Sequence, residues 1–197
     1  MTLILKVADK FAAAHHLPNY DGDCERIHGH TWKIIVGFKL ETTSGIKATT
    51  VKNSGIAVDF KLLKALVGLM LPDHQYINKY FKTDFPTAEW LACDLKRMYD
   101  TFFDVYPKYK KRASKELNMA IALVFKAFEP FFVSNINLNL ETDLDIDSIL
   151  RSIDHPVIEI VDFMDIMSDD YPDENMDKIQ CEFVELYESD NASVIVS

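Results

Sequence analysis

Four of the six histidines in the chain fall within residues 15–30, in a pattern suited to binding a metal ion. His28 and His30 flank a glycine at the start of an alternating apolar stretch, so on a β-strand both side chains point to the same face. His15 ends the preceding alternating stretch, and pairing of the two strands would bring it to the same point. Three histidines and an open position describe a catalytic zinc site, because structural zinc usually has four protein ligands and favours cysteine. The alternative interpretation is unrelated polar residues at strand ends.

Three further motifs could carry chemistry. Cys24 lies four residues before His28, and near a dication its thiol would become a base, a nucleophile or a fourth ligand; alternatively it is a small buried side chain. In Asp73-His74 the carboxylate can orient the ring and hold its proton. Glu188 ends a predicted strand, where it can accept two N–H groups from a guanidine-like edge. Taken alone, the Asp73-His74 dipeptide is weak support for acid–base chemistry. Glu188 taken alone would be interpreted as a surface glutamate.

Hydrophobic periodicity predicts the elements that position these residues. Alternation predicts strands over residues 3–15, 28–40, 55–58 and 181–186. Asp59 is the predicted N-cap of a helix that Pro72 ends. Its apolar positions are Phe60, Leu63, Leu66, Val67 and Met70. A second helix is predicted to begin at Pro86-Thr87, and its apolar face comprises Trp90, Leu91, Leu95, Met98 and Phe102.

The pattern is weaker from residue 104 to 177. It favours a helix over residues 113–132, a strand over 157–163 and an acidic loop over 168–177. The alternating acids Asp143, Asp145 and Asp147 lack the central glycine and distal glutamate of a calcium loop, so a solvated face is the preferred interpretation.

Composition indicates a cytoplasmic globular protein of one domain. Of 197 residues, 48% are hydrophobic and 26% charged, and no apolar run approaches the ~20 residues of a membrane span. The N-terminus resembles a strand, not a signal peptide, and three cysteines without paired spacing favour the reducing cytosol. Residues 141–177 hold 13 of the 31 acidic residues and one of the 21 basic ones. The net charge of −10 and the lack of a basic face argue against nucleic-acid binding.

The order of motifs resembles the 6-pyruvoyl tetrahydropterin synthase and 6-carboxytetrahydropterin synthase family. The resemblance covers roughly residues 1–103 and 178–195, and the set of motifs is specific although no single one is. The matching pieces are Phe11-Ala-Ala-Ala-His15-His-Leu17, Cys24-Glu-Arg-Ile-His28-Gly-His30-Thr-Trp, Gly55-Ile-Ala-Val-Asp59-Phe60, Leu71-Pro-Asp73-His74-Gln-Tyr-Ile-Asn78, Pro86-Thr87-Ala-Glu89-Trp-Leu and Leu186-Tyr-Glu188-Ser.

This resemblance implies a set of site residues. The zinc ligands would be His15, His28 and His30; preferring His15 to its neighbour His16 rests on alignment to Leu17 and on strand parity. Cys24 would be the proton acceptor. Asp73 and His74 would form the partner acid–base dyad. Glu188 would anchor the pterin ring through its N–H edge, and Thr87 would join it in binding substrate.

The fold implied is an α+β T-fold, an antiparallel sheet with two helices on one face. Subunits of such proteins assemble into a barrel, commonly a hexamer, with active sites at subunit interfaces. The stretch at about 104–177 has no counterpart in compact members, which predicts a single domain over residues 1–197 carrying a partly helical insertion.

The spacing from Cys24 to His28 resembles that of the bacterial 6-carboxytetrahydropterin synthase of queuosine biosynthesis, whereas the pyruvoyl-forming enzymes have a longer step. The predicted activity is therefore a zinc-dependent lyase that converts 7,8-dihydroneopterin triphosphate to 6-carboxytetrahydropterin, acetaldehyde and triphosphate. The alternatives are 6-pyruvoyl tetrahydropterin synthase, which eliminates triphosphate and keeps every side-chain carbon, and a non-catalytic zinc- or pterin-binding homologue.

Overall fold

The computed structural model describes residues 1–42, 55–110 and 175–197. Its elements, in chain order, are β1 (Thr2–His15), β2 (His28–Glu41), α1 (Phe60–Leu69), β3 (Gln75–Tyr76), α2 (Ile77–Tyr80), α3 (Ala88–Lys110), β4 (Ile179–Ser189) and β5 (Ala192–Val196). Short 3-10 helices precede β2 and β4, at Asp23–Glu25 and Met176–Lys178. None of the described helices is long and apolar enough to cross a membrane.

The strands form one five-stranded sheet in the order β3-β1-β2-β4-β5. β1, β2, β4 and β5 pair antiparallel, while β3 runs parallel to β1 over two residue pairs. The α+β class is therefore confirmed, with the refinement that the sheet is mixed at one edge. Because β4 pairs with β2, the described segments before and after the stretch of residues 111–174 belong to the same sheet.

One face of the sheet is packed against α1 and α3, because alternate strand residues are apolar and buried. The strand side of this core includes Phe11, Trp32, Ile34, Phe38, Val184 and Leu186. The helix side includes Leu63, Leu66, Val67, Leu91, Leu95, Met98 and Phe102. Asp59 caps α1 as predicted, since its carboxylate accepts the N–H of Lys61 at 2.7 Å. Phe60 does not join the apolar face of α1 as predicted, because it is the first residue of the helix and is 52% exposed.

Three other local features differ from the sequence predictions. Residues 55–58 form a turn instead of a strand, with Gly55 at a φ of 82° in the left-handed region that favours glycine. β5 was not predicted, since the sequence that follows Glu188 alternates over only a few residues. Residues 104–110, placed in the insertion by sequence, continue α3. The predicted helix at 113–132, the strand at 157–163, the acidic alternation at 143–147 and most of the loop at 168–177 lie outside the described residues.

Candidate active site

The register of β1 and β2 brings three histidines together at one end of the sheet. His15 lies directly opposite His28, and His30 lies opposite Ala13 on the same face. The ring centroids are 4.5 Å apart for His15 and His28, 5.1 Å for His15 and His30, and 5.0 Å for His28 and His30. The buried indole of Trp32 lies below them, with its centroid 5.2 Å from that of His15.

Backbone carbonyl groups fix the orientation of two of these rings. The Nδ1 of His15 lies 2.7 Å from the carbonyl oxygen of Pro86, and the Nδ1 of His28 lies 2.8 Å from that of Arg26. A carbonyl oxygen only accepts hydrogen bonds, so each Nδ1 carries the proton and donates. Each Nε2 is left with its lone pair, which is the tautomer that a metal-binding histidine needs.

Two of the remaining ring nitrogens have no hydrogen-bond partner. The Nε2 atoms of His15 and His30 are buried and make no hydrogen bond, an arrangement that normally indicates a missing ion or water. One ligand atom from each of the three histidines lies within 4.8 Å of the others, so the group could hold a metal ion. Burial is the main cause of a lowered pKa at His15 and outweighs the raising effect of its hydrogen bond to Pro86, which favours the neutral ring.

Glu188 is brought to the same group from β4. Its Oε1 lies 3.4 Å from the Nε2 of His15 and 3.7 Å from the Nε2 of His30, and the side chain is 36% exposed. The sequence placed Glu188 at a strand end near a ligand; the structure places its carboxylate beside the histidine nitrogens.

Asp73 and His74 form a hydrogen-bonded pair at the β3 edge of β1. The Oδ2 of Asp73 accepts from the Nδ1 of His74 at 2.8 Å, and its Oδ1 accepts the N–H of Ala12 at 2.8 Å. The backbone of His74 has a φ of 55°, and its N–H donates to the Ala12 carbonyl at 2.6 Å. The His74 ring is 82% exposed. Within the described residues, no hydrogen bond or ion pair joins this dyad to the three histidines.

Cys24 and Thr87 lie on the connections that precede β2 and α3. Cys24 is half-buried on the 3-10 turn that joins β1 to β2, and its carbonyl accepts the N–H of Leu17 at 2.8 Å. Its sulfur is not part of the metal-capable group. The Thr87 hydroxyl accepts the N–H of Trp90 at 3.2 Å, so it caps α3. A substrate contact of either side chain stays a prediction.

His16 is directed away from the metal-capable group. Its Nδ1 lies 2.5 Å from the hydroxyl of Tyr76, on which its ring stacks. The side-chain amide of Asn78 forms two hydrogen bonds to the backbone of His16: its oxygen accepts the N–H at 3.1 Å and its nitrogen donates to the carbonyl at 2.9 Å. Consecutive strand residues point to opposite faces, which is why His15 and not His16 meets the other two histidines.

Sequence reasoning missed the groups that hold the histidines. The carbonyl groups of Pro86 and Arg26 act through the backbone, so no side-chain pattern marks them. Trp32 was placed on the correct face by parity, but only as a core residue. The sequence signal for the Pro86 contact was the predicted helix start at Pro86-Thr87, which fixes where that carbonyl points but not what it meets.

A family model described as 6-pyruvoyl tetrahydropterin synthase matches residues 4–111 of the chain. Two curated relatives are named 6-carboxy-5,6,7,8-tetrahydropterin synthase. The protein from Synechocystis sp. is 34% identical over 85 residues, which cover 42% of this chain and 63% of that protein. The protein from Bacillus subtilis is 33% identical over 95 residues, which cover 45% and 58% respectively. The chain thus spans about three fifths of the length of these relatives.

Among solved structures, the chain is similar to the 6-pyruvoyl tetrahydropterin synthase of Caenorhabditis elegans. The sequence identity is 17% and the TM-score 0.41, with 100% of this chain and 96% of that one covered.

Proposed function

The chain belongs to the 6-pyruvoyl tetrahydropterin synthase family, and we propose that it is a zinc-dependent lyase acting on 7,8-dihydroneopterin triphosphate. The products would be 6-carboxytetrahydropterin, acetaldehyde and triphosphate, as in queuosine biosynthesis. The α+β sheet with two helices on one face is the T-fold expected of this family. The observation that carries the proposal is the group of three histidines, each of which brings one ligand atom within 4.8 Å of the others.

The donor set fits zinc. Three neutral imidazoles and an open position are the arrangement of catalytic zinc, and carbonyl partners on the Nδ1 atoms of His15 and His28 hold the required tautomer. Zinc bound by His15, His28 and His30 would polarise the hydroxyl groups of the substrate side chain and lower their pKa.

The chain's own residues would bind the pterin and move the protons. The Glu188 carboxylate would accept the N–H edge of the pterin ring, a paired charge-assisted contact, with Thr87 nearby. Cys24 would take a proton from the substrate side chain as a thiolate. Asp73 holds the Nδ1 proton of His74, so the Nε2 of His74 is the atom that would exchange a proton with substrate.

We further propose that complete sites form between copies of the chain in a homo-oligomer, with a hexamer as the expected size. The support is the position of the dyad: the His74 ring is 82% exposed and points to solvent. A second copy would bring such a ring to the zinc and the thiol. The cytoplasm remains the expected compartment, and none of the three cysteines is paired.

The second candidate is 6-pyruvoyl tetrahydropterin synthase itself, because the matching family model carries that description. The names of the two curated relatives favour the carboxy-forming reaction. A pterin-binding homologue without turnover is the third alternative, and the joint presence of Cys24, Asp73, His74 and Glu188 argues against it.

Product analysis decides among these reactions. Purified protein would be incubated with 7,8-dihydroneopterin triphosphate, the pterin products identified by mass, acetaldehyde assayed and bound zinc counted. Acetaldehyde equal to the substrate consumed supports the carboxy-forming assignment. A product that keeps all three side-chain carbons supports the pyruvoyl-forming enzyme. Tight pterin binding without turnover supports the non-catalytic homologue.

A further inference from the structure

Glu188 stands closer to the histidine nitrogens than an acceptor of pterin N–H groups requires. Its Oε1 lies 3.4 Å from the Nε2 of His15 and 3.7 Å from the Nε2 of His30. The ligand atoms of a tetrahedral zinc with bonds of about 2.0–2.2 Å are roughly 3.3–3.6 Å apart. The carboxylate oxygen therefore stands at about one tetrahedron edge from two of the three nitrogens. Glu188 is not part of the metal-capable group of His15, His28 and His30, so its ligation requires the side chain to shift towards the metal.

With the His15 ring neutral, the chemistry of these atoms favours a cation between them. The Nδ1 of His15 donates to the Pro86 carbonyl, so in the neutral ring Nε2 presents a lone pair. That lone pair faces a carboxylate oxygen, and neither atom can donate to the other. The same Nε2 is buried and forms no hydrogen bond. A cation shared by the nitrogen and the oxygen satisfies both.

The backbone of β4 is shaped to place this carboxylate. Tyr187 pairs with Ser193 and Ser189 pairs with Ala192, so Glu188 is the extra residue of a β-bulge between β4 and β5. Bulges re-aim a side chain and are common beside active sites. Glu188 shares the parity of Leu186, which is buried on the core face, so it projects on the face that carries the histidines.

We propose that Glu188 is the fourth ligand of the metal in the substrate-free protein and that substrate displaces it. The second half rests on the proposed function, in which the same carboxylate accepts the pterin N–H edge. A carboxylate engaged by the pterin no longer closes the metal's fourth position. Pterin binding would thus free a coordination position on the metal for the substrate hydroxyl groups. Without pterin, Glu188 would occupy that position and keep water from it.

Metal binding alone tests the ligand. The affinity for Co²⁺ and Zn²⁺ and the visible absorption of the Co²⁺ form would be measured for the wild-type chain, Glu188→Gln and the control Glu182→Gln, which removes the same charge from an exposed site on the same strand. Glu188→Gln should bind at least about tenfold more weakly, since even outer-shell partners are typically worth 10–100-fold. Its Co²⁺ spectrum should change, whereas Glu182→Gln should match the wild type.

Equal affinity and an unchanged spectrum in Glu188→Gln would overturn the ligand proposal and leave the proposed reaction standing. If the wild-type chain binds neither ion, both the ligand and the zinc half of the proposed function are wrong. Circular dichroism and a thermal melt of the metal-free variants would show that the fold is kept, as expected for a side chain with 36% exposure.

The displacement step is tested by adding 7,8-dihydroneopterin to the Co²⁺ form. At pterin concentrations that saturate each protein, the wild-type spectrum should shift, and the Glu188→Gln spectrum should shift much less because no carboxylate is left to release. If 7,8-dihydroneopterin binds without changing the wild-type spectrum, the displacement proposal is wrong. The proposal that Glu188 is a metal ligand is then unaffected. A pterin that does not bind at all overturns the proposed function, on which displacement depends.

Discussion

The imidazole of His15 donates from Nδ1 to the carbonyl oxygen of Pro86, 2.7 Å away, and so ties the end of β1 to the residue before the N-cap of α3. The contact joins parts of the chain 71 residues apart. Thr87 follows Pro86 and caps the helix through its hydroxyl. The orientation of a metal-capable ring therefore depends on how α3 begins.

Thr87→Ala is expected to destabilise the fold by about 1 kcal/mol, because it leaves the N–H of Trp90 without its cap. Urea unfolding of the metal-free protein measures this change. Metal affinity should also fall, since the Pro86 carbonyl loses its fixed position beside His15.

Thr87→Asp separates capping from substrate binding, because aspartate caps a helix N-terminus as well as threonine does but carries no hydroxyl donor. We expect it to restore stability. If the variant binds 7,8-dihydroneopterin as tightly as the wild type, Thr87 is a helix cap and the predicted substrate contact is wrong; if it binds more weakly, the hydroxyl contacts the substrate.

His28→Ala should remove most of the bound metal, because it deletes one of three convergent nitrogens. The matched control is His16→Ala, which breaks the contacts to Tyr76 but leaves the metal-capable group intact. Metal content after gel filtration measures both. Loss of metal from the His16 variant, with retention in a His15→Ala variant, would reverse the ligand assignment.

The histidine group was predictable because strand periodicity is a local property of sequence. Alternation set the faces of His15, His28 and His30, and pairing of successive strands as neighbours was enough to bring them together. The cap by Asp59 and the helix start at Pro86-Thr87 were predictable for the same reason: each depends on a few adjacent residues.

Long-range contacts were not predictable in this way. Nothing near Glu188 in the sequence indicates that β4 lies next to β2, on the far side of a long intervening stretch, or that a bulge turns the carboxylate towards His15. The side-chain pairing of Asp73 and His74 is local, but their attachment to Ala12 depends on how the loop returns to the edge of β1.

Cys24→Ala should keep the metal and the fold and lose turnover by roughly 10²–10⁴-fold, the usual worth of a positioned proton transfer. Retention of metal is expected because the thiol is not in the metal-capable group. The control is Cys93→Ala, which changes an exposed thiol on α3. Near-normal turnover of Cys24→Ala would make Cys24 a packing residue.

Cys181 should resist alkylation in the folded protein. Burial, the largest influence on this thiol, raises the pKa of Cys181 to about 12, so almost none of it is thiolate at pH 8. Iodoacetamide should label exposed Cys93 and half-buried Cys24 in the folded protein. Mass spectrometry should find Cys181 labelled only after unfolding in urea. Its labelling under native conditions would mean that the strand carrying it opens on the timescale of the reaction.

Mixing two inactive variants tests whether a site is shared between copies. Cys24→Ala lacks the proposed thiol, and His74→Ala lacks the ring that is 82% exposed. If each site takes its thiol from one copy and its dyad from another, mixed assemblies contain sites that keep both groups. For random assembly from equal amounts, about one quarter of the sites should be intact, so coexpressed chains should recover about one quarter of wild-type turnover.

Mixing Cys24→Ala with Cys24→Ser is the control and should recover none. No recovery in the test mixture, with mixed assemblies verified by differently tagged chains, would show that Cys24 and His74 act within one chain.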